Sequence, residues 1–350
     1  MASIAVRSAE GVRLSTIASP NIAVLLPCYN EEAAIGATVN AFRETLPGAA
    51  VYVYDNNSTD RTREVAARAG AIVRTERQQG KGHVVRRMFA DVDADVYLMA
   101  DGDLTYDARA APAMVDLLLA DQLDMVVGTR RHDEKEAYRR GHAVGNRLFT
   151  GLLSGLFGRS FSDIFSGYRV FSRRFVKSFP VLSSGFEIET EMSVHALELR
   201  MPVGELETAY AARLEGSQSK LSTYSDGWRI LKSIVTLYRV ERPVLFYGAI
   251  GALLLALALI LSVPLVVTYV TTGLVPRVPT AILVTGMTIV AVLCFFTGLI
   301  LDTVTRGRRE VRRLAYLSHS APGSLGERNQ PKPQAPAGGG ASSRRRRAPA

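Results

Sequence analysis

The sequence predicts an α/β domain with a mostly parallel, doubly wound sheet, followed by a hairpin of two membrane-spanning helices. In the first part of the 350-residue chain, short apolar runs alternate with stretches of helical spacing, as in sheets whose parallel strands are joined by helices. Two long runs without a charged residue come later in the chain. Each run is long enough to cross a bilayer as a helix, which needs about 20 apolar residues.

Five short apolar runs are the predicted strands, and they cover residues 22–26, 51–54, 71–74, 96–100 and 125–128. The predicted helices of this domain are residues 31–45, 61–69, 84–89 and 110–119. The first helix begins with acidic residues, which suit the positive end of a helix dipole. We find no internal repeat, so the alternation is that of one domain.

The uncharged runs are residues 244–270 and 280–301. One such run also fits a buried helix of a soluble protein, but two in succession favour a membrane hairpin. Four basic residues precede the first run at 229–242, five follow the second at 306–313, and Arg277 alone lies between them. Because cytoplasmic flanks are rich in lysine and arginine, we expect a multi-pass protein of the inner (plasma) membrane with both termini cytoplasmic.

Both ends of the chain lack the pattern of a folded domain. Residues 1–20 have no continuous apolar stretch of the kind found in a cleaved signal peptide, and we expect a flexible N-terminus. Residues 302–350 are basic and become rich in proline, glycine and serine, so we expect a mostly disordered cytoplasmic tail. In a chain of net charge +9, the arginine run at 344–347 lacks aromatic neighbours, which favours proximity to anionic lipid over nucleic-acid binding.

Polar residues directly follow three of the predicted strands, at positions 27–31, 55–60 and 101–103. Because ligands of such sheets bind at the carboxyl ends of the strands, we expect these clusters to meet at one edge. Lys81, between Gly80 and Gly82, adds an ammonium at a point where backbone and phosphate can approach closely. A surface turn is the alternative interpretation of this lysine, and the neighbouring clusters favour the phosphate site.

Asp101 and Asp103 lie one residue apart at the end of a predicted buried strand. Side chains alternate along extended backbone, so both carboxylates are expected on the same side of the chain. Mg2+ and Mn2+ prefer oxygen ligands and leave positions for phosphate oxygens, so the pair predicts a metal site for a nucleotide diphosphate. Asp-x-Asp also occurs by chance in solvated turns, and the prediction therefore depends on the other clusters.

Four segments resemble, in the same order, the signatures of the inverting family 2 glycosyltransferases with the GT-A fold. They are residues 26–32 (LPCYNEE), 55–60 (DNNSTD), 80–82 (GKG) and 101–103 (DGD). Three later segments, together with the hairpin behind them, narrow the resemblance to one group of these enzymes. The segments are residues 166–169 (SGYR), 185–189 (GFEIE) and 210–220 (YAARLEGSQSK). They resemble the polyprenyl-phosphate sugar synthases, including dolichyl-phosphate mannose synthase and bacterial undecaprenyl-phosphate glycosyltransferases. The resemblance covers residues 22–301 and implies a GT-A catalytic domain.

The resemblance also implies a nucleotide-sugar site, whose members here would be Pro27, Tyr29, Asn30, Glu31, Asp55, Asn57, Lys81 and Asp101. The first four would shape the pocket for base and ribose, and Asp55 would contact the base. The implied metal ligands for Mg2+ or Mn2+ are Asp101, Asp103 and Thr105, with Asp103 as a catalytic residue. Thr105 stands where dolichyl-phosphate mannose synthases usually have glutamine, and its hydroxyl would ligate directly or through water.

A lipid phosphate is the acceptor that the resemblance implies. A phosphate monoester is already largely ionised near neutral pH, with a second pKa of about 6, so it needs no general base. The implied phosphate-binding residues are Arg130, Arg140, Arg213 and Lys220, of which Arg130 and Arg213 are the catalytic candidates. A surface salt bridge is the alternative for each arginine. No acidic base is evident, since Glu187, Glu189 and Glu191 fit a solvated helix face at least as well.

Two apolar stripes flanked by polar residues, at 149–157 and 228–238, resemble interfacial helices. Core packing explains the first stripe equally well, whereas the adjacent membrane run favours an interface for the second. The predicted organisation is therefore a GT-A catalytic domain at 21–221, an interfacial amphipathic helix at 222–243, the hairpin at 244–301 and the tail.

The function that follows is transfer of a sugar from a nucleotide-diphosphate sugar to polyprenyl phosphate, such as undecaprenyl phosphate, with inversion. The partners would be these two substrates and membrane lipid, without nucleic acid. One alternative is a family 2 enzyme with a glycan or lipid hydroxyl as acceptor. Another is a non-catalytic, nucleotide-binding membrane scaffold. The sugar, the choice between UDP and GDP, the length of the lipid and homo-oligomerisation stay open at this point.

Overall fold

The computed structural model describes residues 20–131, 151, 161–183, 185, 187–211, 232, 235–236 and 238–323. Within these ranges the strands are β1 (Ile22–Cys28), β2 (Ala50–Asp55), β3 (Ile72–Thr75), β4 (Val96–Met99), β5 (Met125–Arg131), β6 (Arg169–Ser172) and β7 (Val203–Ala209). They form a seven-stranded sheet in the order β3-β2-β1-β4-β6-β5-β7. In this sheet β6 alone runs antiparallel to its neighbours, which confirms the mostly parallel arrangement.

The helices are α1 (Ile35–Thr45), α2 (Thr62–Arg68), α3 (Lys81–Asp91), α4 (Ala111–Ala120), α5 (Arg173–Ser178), α6 (Ile188–Glu198), α7 (Pro243–Thr272) and α8 (Val278–Leu317). A short 3-10 turn, Ala108–Ala110, precedes α4. Helix α1 starts later than predicted, because Glu31 belongs to the preceding turn, where its carbonyl accepts the amides of Ala34 and Ile35. The acidic residues therefore lie before the first turn of α1 and not in it.

All five predicted strands form, whereas β6 and β7 were not predicted. Strand β6 is fully buried, but its sequence RVFS has only two apolar residues, between Arg169 and Ser172, too few to stand out as an apolar run. Strand β7 is a half-exposed edge strand whose sequence, VGELETA, includes two glutamates. Such a strand has no apolar run to detect, and only its pairing with β5 identifies it.

Two hydrophobic clusters fill the two faces of the sheet. Ala23 and Leu25 of β1 belong to one cluster, and Val24 and Leu26 belong to the other. Because side chains alternate along a strand, β1 is buried on both faces and forms the centre of the domain. The loops after β1 and β4, its neighbour, are thus held by the most rigid part of the fold.

Helices α7 and α8 form the predicted hairpin of two apolar helices, each long and apolar enough to cross a membrane. Glycines let the two helices approach closely. A Cβ atom added at Gly251 would lie 2.9 Å from the carbonyl oxygen of Ala291, and one at Gly298 would lie 3.2 Å from the Cα of Val244. Small residues at such contacts are typical of helix packing in membranes.

Helix α8 continues well beyond residue 301 and ends at Leu317. The predicted cytoplasmic tail from residue 302 therefore begins as helix at 302–317, and most of the part beyond Leu317, for which disorder is predicted, lies at 324–350, outside the described ranges. The basic residues of this segment bind buried carboxylates of the α/β domain. Arg309 and Arg312 lie 3.1 and 2.5 Å from Glu198, whose side chain is 2% exposed, and Arg309 also pairs with Glu241.

A second contact joins the end of α8 to the sheet. The carboxylate of Asp124, which is fully buried, accepts hydrogen bonds from Ser172 Oγ at 2.7 Å and Tyr316 Oη at 2.8 Å. Arg174 pairs with the same carboxylate, and its guanidinium stacks over the Tyr316 ring. Burial and the charge of Asp124 raise the pKa of Tyr316, so the phenol keeps its proton and remains a donor.

The apolar stripe at 149–157 and most of the predicted interfacial helix at 222–243 lie outside the described residues. Residues 232, 235, 236 and 238–241 are helical, as expected for the second stripe. These residues lead directly into α7.

We expect that Glu198→Gln lowers the melting temperature of the detergent-solubilised protein, because two arginines of α8 lose their shared carboxylate. The arginines are partly exposed, so the loss should be roughly 2 kcal/mol, below the 3–5 kcal/mol of a fully buried pair. The control is Glu207→Gln at an exposed position of β7. Equal melting temperatures for the two variants would show that α8 is not held by this contact.

Candidate functional site

The polar clusters that follow β1 and β2 are joined by hydrogen bonds at the carboxyl edge of the sheet. The amide of Asn30 donates to Ser58 Oγ at 2.8 Å, and the amide of Thr59 donates to Asn30 Oδ1 at 2.8 Å. Asn30 has a φ of 53°, in the left-handed region that asparagine tolerates better than most residues. The predicted convergence of these two turns is thus present in the structure.

The loop after β2 is also joined to the start of α3. The amide of Gly80 donates to Asn56 Oδ1 at 2.7 Å, and the amide group of Asn56 donates to the carbonyls of Glu76 and Gln78. The Asn57 side chain donates to the Arg77 carbonyl at 2.8 Å. Asn57, predicted in the nucleotide-sugar site, therefore shapes the loop that leads to Lys81.

Asp55, at the end of β2, is fully buried. Its Oδ2 accepts the Ser58 amide at 3.2 Å, while its Oδ1 has no hydrogen-bond partner in the described residues. A buried carboxylate oxygen without a donor is costly, so a ligand that offers an N–H group would stabilise this site. The other predicted pocket residues are half-buried: Pro27 lies near the end of β1, and Tyr29 and Glu31 lie in the turn that follows it.

The glycine between Asp101 and Asp103 is required by close packing. A Cβ atom added at Gly102 would lie 2.4 Å from Cys28 Sγ at the end of β1. Any larger residue would push the turn, and with it both carboxylates, away from the sheet. Burial and then the charge of Glu31 raise the pKa of Cys28, so its thiol is protonated and serves as packing.

Lys81 lies between two carboxylates. Its Nζ is 2.5 Å from Asp101 Oδ1 and 2.5 Å from Glu189 Oε1, and its side chain is 10% exposed. Burial opposes the charge of the ammonium, but Asp101 and Glu189 outweigh that effect and raise the pKa of Lys81. The structure therefore brings together Lys81 and Asp101, both predicted from the sequence, with a third residue from α6.

That third residue corrects an interpretation from the sequence. A solvated helix face was one of two interpretations left open for Glu187, Glu189 and Glu191, and it does not hold for Glu189, which is 4% exposed. Glu191 instead accepts the backbone amides of Leu182 and Ser183, both at 2.8 Å. The only sequence signal for Glu189 was its place in the GFEIE segment, because its partner Lys81 is remote along the chain.

Asp103 is 3% exposed and is oriented by Thr105. Its Oδ1 accepts the Thr105 hydroxyl at 2.7 Å and the Thr105 amide at 3.2 Å. Leu104, between them, has a φ of 59°, which folds the chain back so that Thr105 reaches the carboxylate. Thr105 thus supports Asp103 directly, a contact that the sequence prediction of a metal ligand did not include.

The two aspartates fit a divalent cation by their chemistry. No group of three or more His, Cys, Asp or Glu residues forms a ready-made metal site among the described residues. The contact of Lys81 Nζ with Asp101 Oδ1 nevertheless shows that a positive charge is accommodated beside this carboxylate at the carboxyl edge of the sheet. Two carboxylates and a hydroxyl give an all-oxygen donor set, which Mg2+ or Mn2+ completes with phosphate and water oxygens.

Arg130, at the end of β5, is held by a bidentate pair with Asp163. Arg130 Nε lies 2.7 Å from Asp163 Oδ2, and Nη2 lies 2.9 Å from Oδ1. Burial alone would lower the pKa of Arg130, but the Asp163 carboxylate raises it. Burial alone would raise the pKa of Asp163, but the Arg130 guanidinium holds the pKa of that carboxyl below its usual range. The guanidinium also lies 5.4 Å from the centre of the Tyr210 ring.

Tyr106 connects Arg130 to the aspartates. Its ring packs against Tyr210 with centroids 5.4 Å apart, and its hydroxyl accepts the amide of Gly167 at 2.9 Å. A Cβ atom added at Gly167 would lie 3.0 Å from Asp101 Oδ2. The SGYR turn, Tyr106 and Arg130 therefore form the wall of the site next to Asp101.

Arg169 of the same turn is completely buried and has no carboxylate bonded to it in the described residues. Its guanidinium donates to the carbonyls of Ser166 and Ile164 at 2.8 and 2.6 Å and to Ser193 Oγ of α6 at 2.9 Å. Burial lowers the pKa of Arg169 to about 10, so it stays charged at neutral pH. Arg169 thus fastens the turn to α6, the helix that supplies Glu189.

The sequence did not identify Glu189, Tyr106, Asp163 or Arg169 as members of the site. Tyr106, Asp163 and Arg169 belong to the site through contacts with residues that are distant in sequence, which no local pattern reveals. Of these three, only Arg169 lies in a segment noted from the sequence, SGYR. The predicted phosphate-binding residues Arg140, Arg213 and Lys220 lie outside the described ranges.

Comparison with known proteins agrees with this geometry. The family model described as "Glycosyl transferase family 2" matches residues 23–179. Glycosyltransferase AglJ of Haloferax volcanii is 36% identical, over 66% of this chain and 76% of AglJ. Dolichyl-phosphate hexose transferase of the same organism is 30% identical, over 63% of this chain and 96% of that protein.

Among solved structures, the chain is similar to glucosyl-3-phosphoglycerate synthase from Mycobacterium tuberculosis in complex with Mn2+, UDP-glucose and phosphoglyceric acid. The TM-score is 0.53 at 23% identity, covering 63% of this chain and 79% of that chain. At this identity the likeness establishes the fold, which is the GT-A fold predicted from the sequence.

The arrangement around Lys81 makes a prediction about stability. Lys81→Met should lower the free energy of unfolding by about 3 kcal/mol, because the buried carboxylate of Glu189 and the partly exposed carboxylate of Asp101 lose their shared cation. Glu189→Gln should cost less, since Lys81 keeps Asp101, and the double variant should recover part of the loss of Lys81→Met. Chemical denaturation of the three variants measures these differences, with Glu187→Gln as the control. A double variant less stable than Lys81→Met would contradict the proposed charge balance.

Proposed function

This chain belongs to glycosyltransferase family 2, and from that membership we propose that it transfers a sugar from a nucleotide-diphosphate sugar to polyprenyl phosphate with inversion. The main supporting observation is the anchored guanidinium of Arg130 in the wall beside Asp101, in a chain that continues into two helices apolar enough to cross a membrane. The name of one relative, dolichyl-phosphate hexose transferase, supports the same class of acceptor.

The nucleotide binds at the edge formed by the loops after β1 and β2. Asp55 Oδ1 accepts the ring N–H group that uracil and guanine both offer, which satisfies an otherwise unpartnered buried oxygen. Pro27, Tyr29, Asn30 and Glu31 enclose base and ribose, and Lys81 neutralises part of the diphosphate charge. Asn57 keeps the loop before Lys81 in place through its bond to the Arg77 carbonyl.

Asp101 and Asp103 would hold Mg2+ or Mn2+, with Thr105 as the third candidate ligand. The bound ion would neutralise the charge that develops on the departing diphosphate. Thr105 keeps the Asp103 carboxylate oriented through its hydroxyl. Lys81 Nζ lies 2.5 Å from both Asp101 and Glu189, so Glu189 would keep the ammonium in the site if Asp101 ligated a metal. The Mn2+ bound in the similar synthase supports a divalent cation in this fold.

Arg130 binds the acceptor phosphate, and Asp163 fixes the guanidinium in position by its two hydrogen bonds. The phosphate is ionised at neutral pH, so attack on the anomeric carbon depends on positioning and on screening of charge repulsion. Arg140, Arg213 and Lys220 are the further candidates for this role, with Arg213 as a second catalytic residue. Helices α7 and α8 hold the enzyme in the inner (plasma) membrane, with both termini cytoplasmic.

A hydroxyl acceptor would require a general base, and the buried carboxylate nearest Lys81 is unsuited to that role. Glu189 Oε1 lies 2.5 Å from Lys81 Nζ and its side chain is 6% exposed, so the ammonium occupies this carboxylate and little of it is open to an acceptor hydroxyl. This pairing favours the phosphate acceptor over the hydroxyl acceptor. Intact Asp101 and Asp103 favour an enzyme over a non-catalytic scaffold.

The proposal is tested by incubating the membrane-embedded protein with undecaprenyl phosphate, Mg2+ or Mn2+ and a panel of UDP and GDP sugars, followed by mass spectrometry of the lipids. We expect a sugar-phosphate lipid whose formation stops with EDTA. Asp103→Asn should lower turnover by about 100-fold or more, because it weakens the metal site. Asp116→Asn, at an exposed position of α4, is the control. Transfer to hydroxyl acceptors alone would refute the proposal.

Arg130→Ala should raise the KM for polyprenyl phosphate by about tenfold or more, while the Kd of the donor changes less than about twofold. The reason is the loss of a charge-assisted bidentate contact. Because the substitution also strands Asp163, the double variant Arg130→Ala/Asp163→Asn separates the two effects. A double variant with normal acceptor dependence would assign Arg130 to structure alone.

A further inference from the structure

The ammonium of Lys81 is shared by two carboxylates that differ in exposure. Lys81 Nζ lies 2.5 Å from an oxygen of Asp101 and 2.5 Å from an oxygen of Glu189. The Glu189 side chain is 6% exposed and belongs to the interior. The Asp101 side chain is 29% exposed and lies at the carboxyl edge of the sheet. One partner of this lysine is therefore an interior residue, and the other is open to the candidate functional site.

Glu189 is held firmly by its surroundings. It lies in the first turn of α6, where a negative charge suits the positive end of the helix dipole. Ser193, one turn later, donates its hydroxyl to the Glu189 carbonyl at 3.0 Å and accepts the guanidinium of Arg169 at 2.9 Å. Arg169 is completely buried and also donates to the carbonyls of Ser166 and Ile164. The backbone that carries Glu189 is thus fixed, and its carboxylate is a permanent partner for the ammonium.

Asp101 is the carboxylate for which Lys81 and a divalent cation would compete. Asp103, the other aspartate, is 3% exposed, and its Oδ1 accepts both the hydroxyl and the amide of Thr105. Asp101 offers more open surface, but its Oδ1 is in contact with Lys81 Nζ. A divalent cation bound to Asp101 would lie close to the ammonium, and the two positive charges would repel each other. Lys81 therefore disfavours a metal on Asp101 unless further negative charge enters the site.

A nucleotide diphosphate supplies that negative charge. Its oxygens can accept the lysine ammonium and also ligate a divalent cation, so they offset both positive charges. Glu189 would keep the ammonium beside the diphosphate while Asp101 ligates the cation. Metal and nucleotide would then favour each other's binding, because a coupling free energy between two ligands is reciprocal.

We propose that Lys81 is a built-in counter-ion of Asp101, which weakens the binding of divalent cations to the free protein, and that Glu189 is a positioning residue that retains the ammonium when Asp101 ligates a metal. The metal is then taken up together with the nucleotide diphosphate. These roles rest on the proposed function in that metal and nucleotide bind at this edge of the sheet. Two residues in contact with each other thus have opposite effects on metal affinity: Lys81 lowers it, and Glu189 raises it.

The test is a titration of the full-length protein in detergent with Mn2+, in which electron paramagnetic resonance measures the free ion with and without UDP or GDP. The Mn2+ that the nucleotide binds in solution is measured separately and subtracted. With the nucleotide that binds, we expect the Kd of Mn2+ to fall at least about tenfold. A Kd of Mn2+ that is the same with and without either nucleotide would overturn the proposal.

Two substitutions should change the affinity for Mn2+ in opposite directions when no nucleotide is present. Lys81→Met should lower the Kd of Mn2+ at least about fivefold, because Asp101 loses the competing cation. Glu189→Gln should raise this Kd at least about threefold, because Asp101 becomes the remaining carboxylate of the two for the ammonium. Arg86→Met and Glu187→Gln remove single charges nearby and are the controls for net charge, with changes below about twofold. Weaker Mn2+ binding in both site variants would indicate a purely structural role and would refute the proposal.

The double variant Lys81→Met/Glu189→Gln keeps the test valid if Lys81→Met alone is too unstable, because it removes the cation together with its buried partner. Melting temperatures show which variants are folded. Without nucleotide, the double variant should bind Mn2+ more tightly than the unaltered protein, and nucleotide should strengthen its Mn2+ binding less. Mn2+ binding no tighter than that of the unaltered protein would refute the competition at Asp101.

A transfer assay with undecaprenyl phosphate on the same preparations separates this inference from the proposed function. Coupled binding of Mn2+ and nucleotide without sugar transfer to the lipid phosphate would count against the proposed function alone. Sugar transfer by a protein whose Mn2+ affinity does not respond to Lys81→Met would count against the role of Lys81 alone. Absence of Mn2+ binding under all these conditions would overturn the inference and the metal site together.

Discussion

The ammonium of Lys81 between Asp101 and Glu189 is the interaction on which the site depends. It joins three elements that are distant in sequence: the start of α3, the loop after β4 and the first turn of α6. Without that cation, the buried carboxylate of Glu189 and the partly exposed carboxylate of Asp101 would lie close together with no shared positive charge, which would destabilise the fold. In the proposed function, the same arrangement would prepare the site for catalysis, because a place that already stabilises one cation beside Asp101 would suit a metal and a diphosphate.

The end of α8 imposes a second constraint. Asp124 and Glu198 are buried carboxylates of the α/β domain, and each is satisfied by residues of a helix that continues from the apolar hairpin. The catalytic domain and the last turns of α8 therefore form one packed unit. If α8 spans the membrane, its direction fixes the height and tilt of the domain, so the acceptor phosphate and Arg130 would meet without a search by a freely swinging domain.

The sequence predicted those features that depend on local patterns. The apolar runs gave five strands, and the turns after β1, β2 and β4 gave the position of the site, because strand length and turn chemistry are local properties. The burial of Glu189 stayed open because it depends on Lys81, whose position relative to α6 cannot be read from spacing. The contacts made by Arg309, Arg312 and Tyr316 could not be predicted for the same reason. Their partners are Asp124, directly before β5, and Glu198, at the end of α6, both far away along the chain.

Two buried polar atoms of the interior have no hydrogen-bond partner within the described ranges. Among the described residues, Asp55 Oδ1 and His195 Nδ1 are the buried side-chain atoms that lack a hydrogen-bond partner. Natural interiors seldom leave such groups unsatisfied, since each costs free energy that the fold must recover elsewhere. Asp55 Oδ1 lies at the carboxyl edge of the sheet, and His195 Nδ1 lies in α6. In the proposed function, the N–H group of a nucleotide base would satisfy Asp55 Oδ1, so this unpartnered atom marks the substrate edge of the domain.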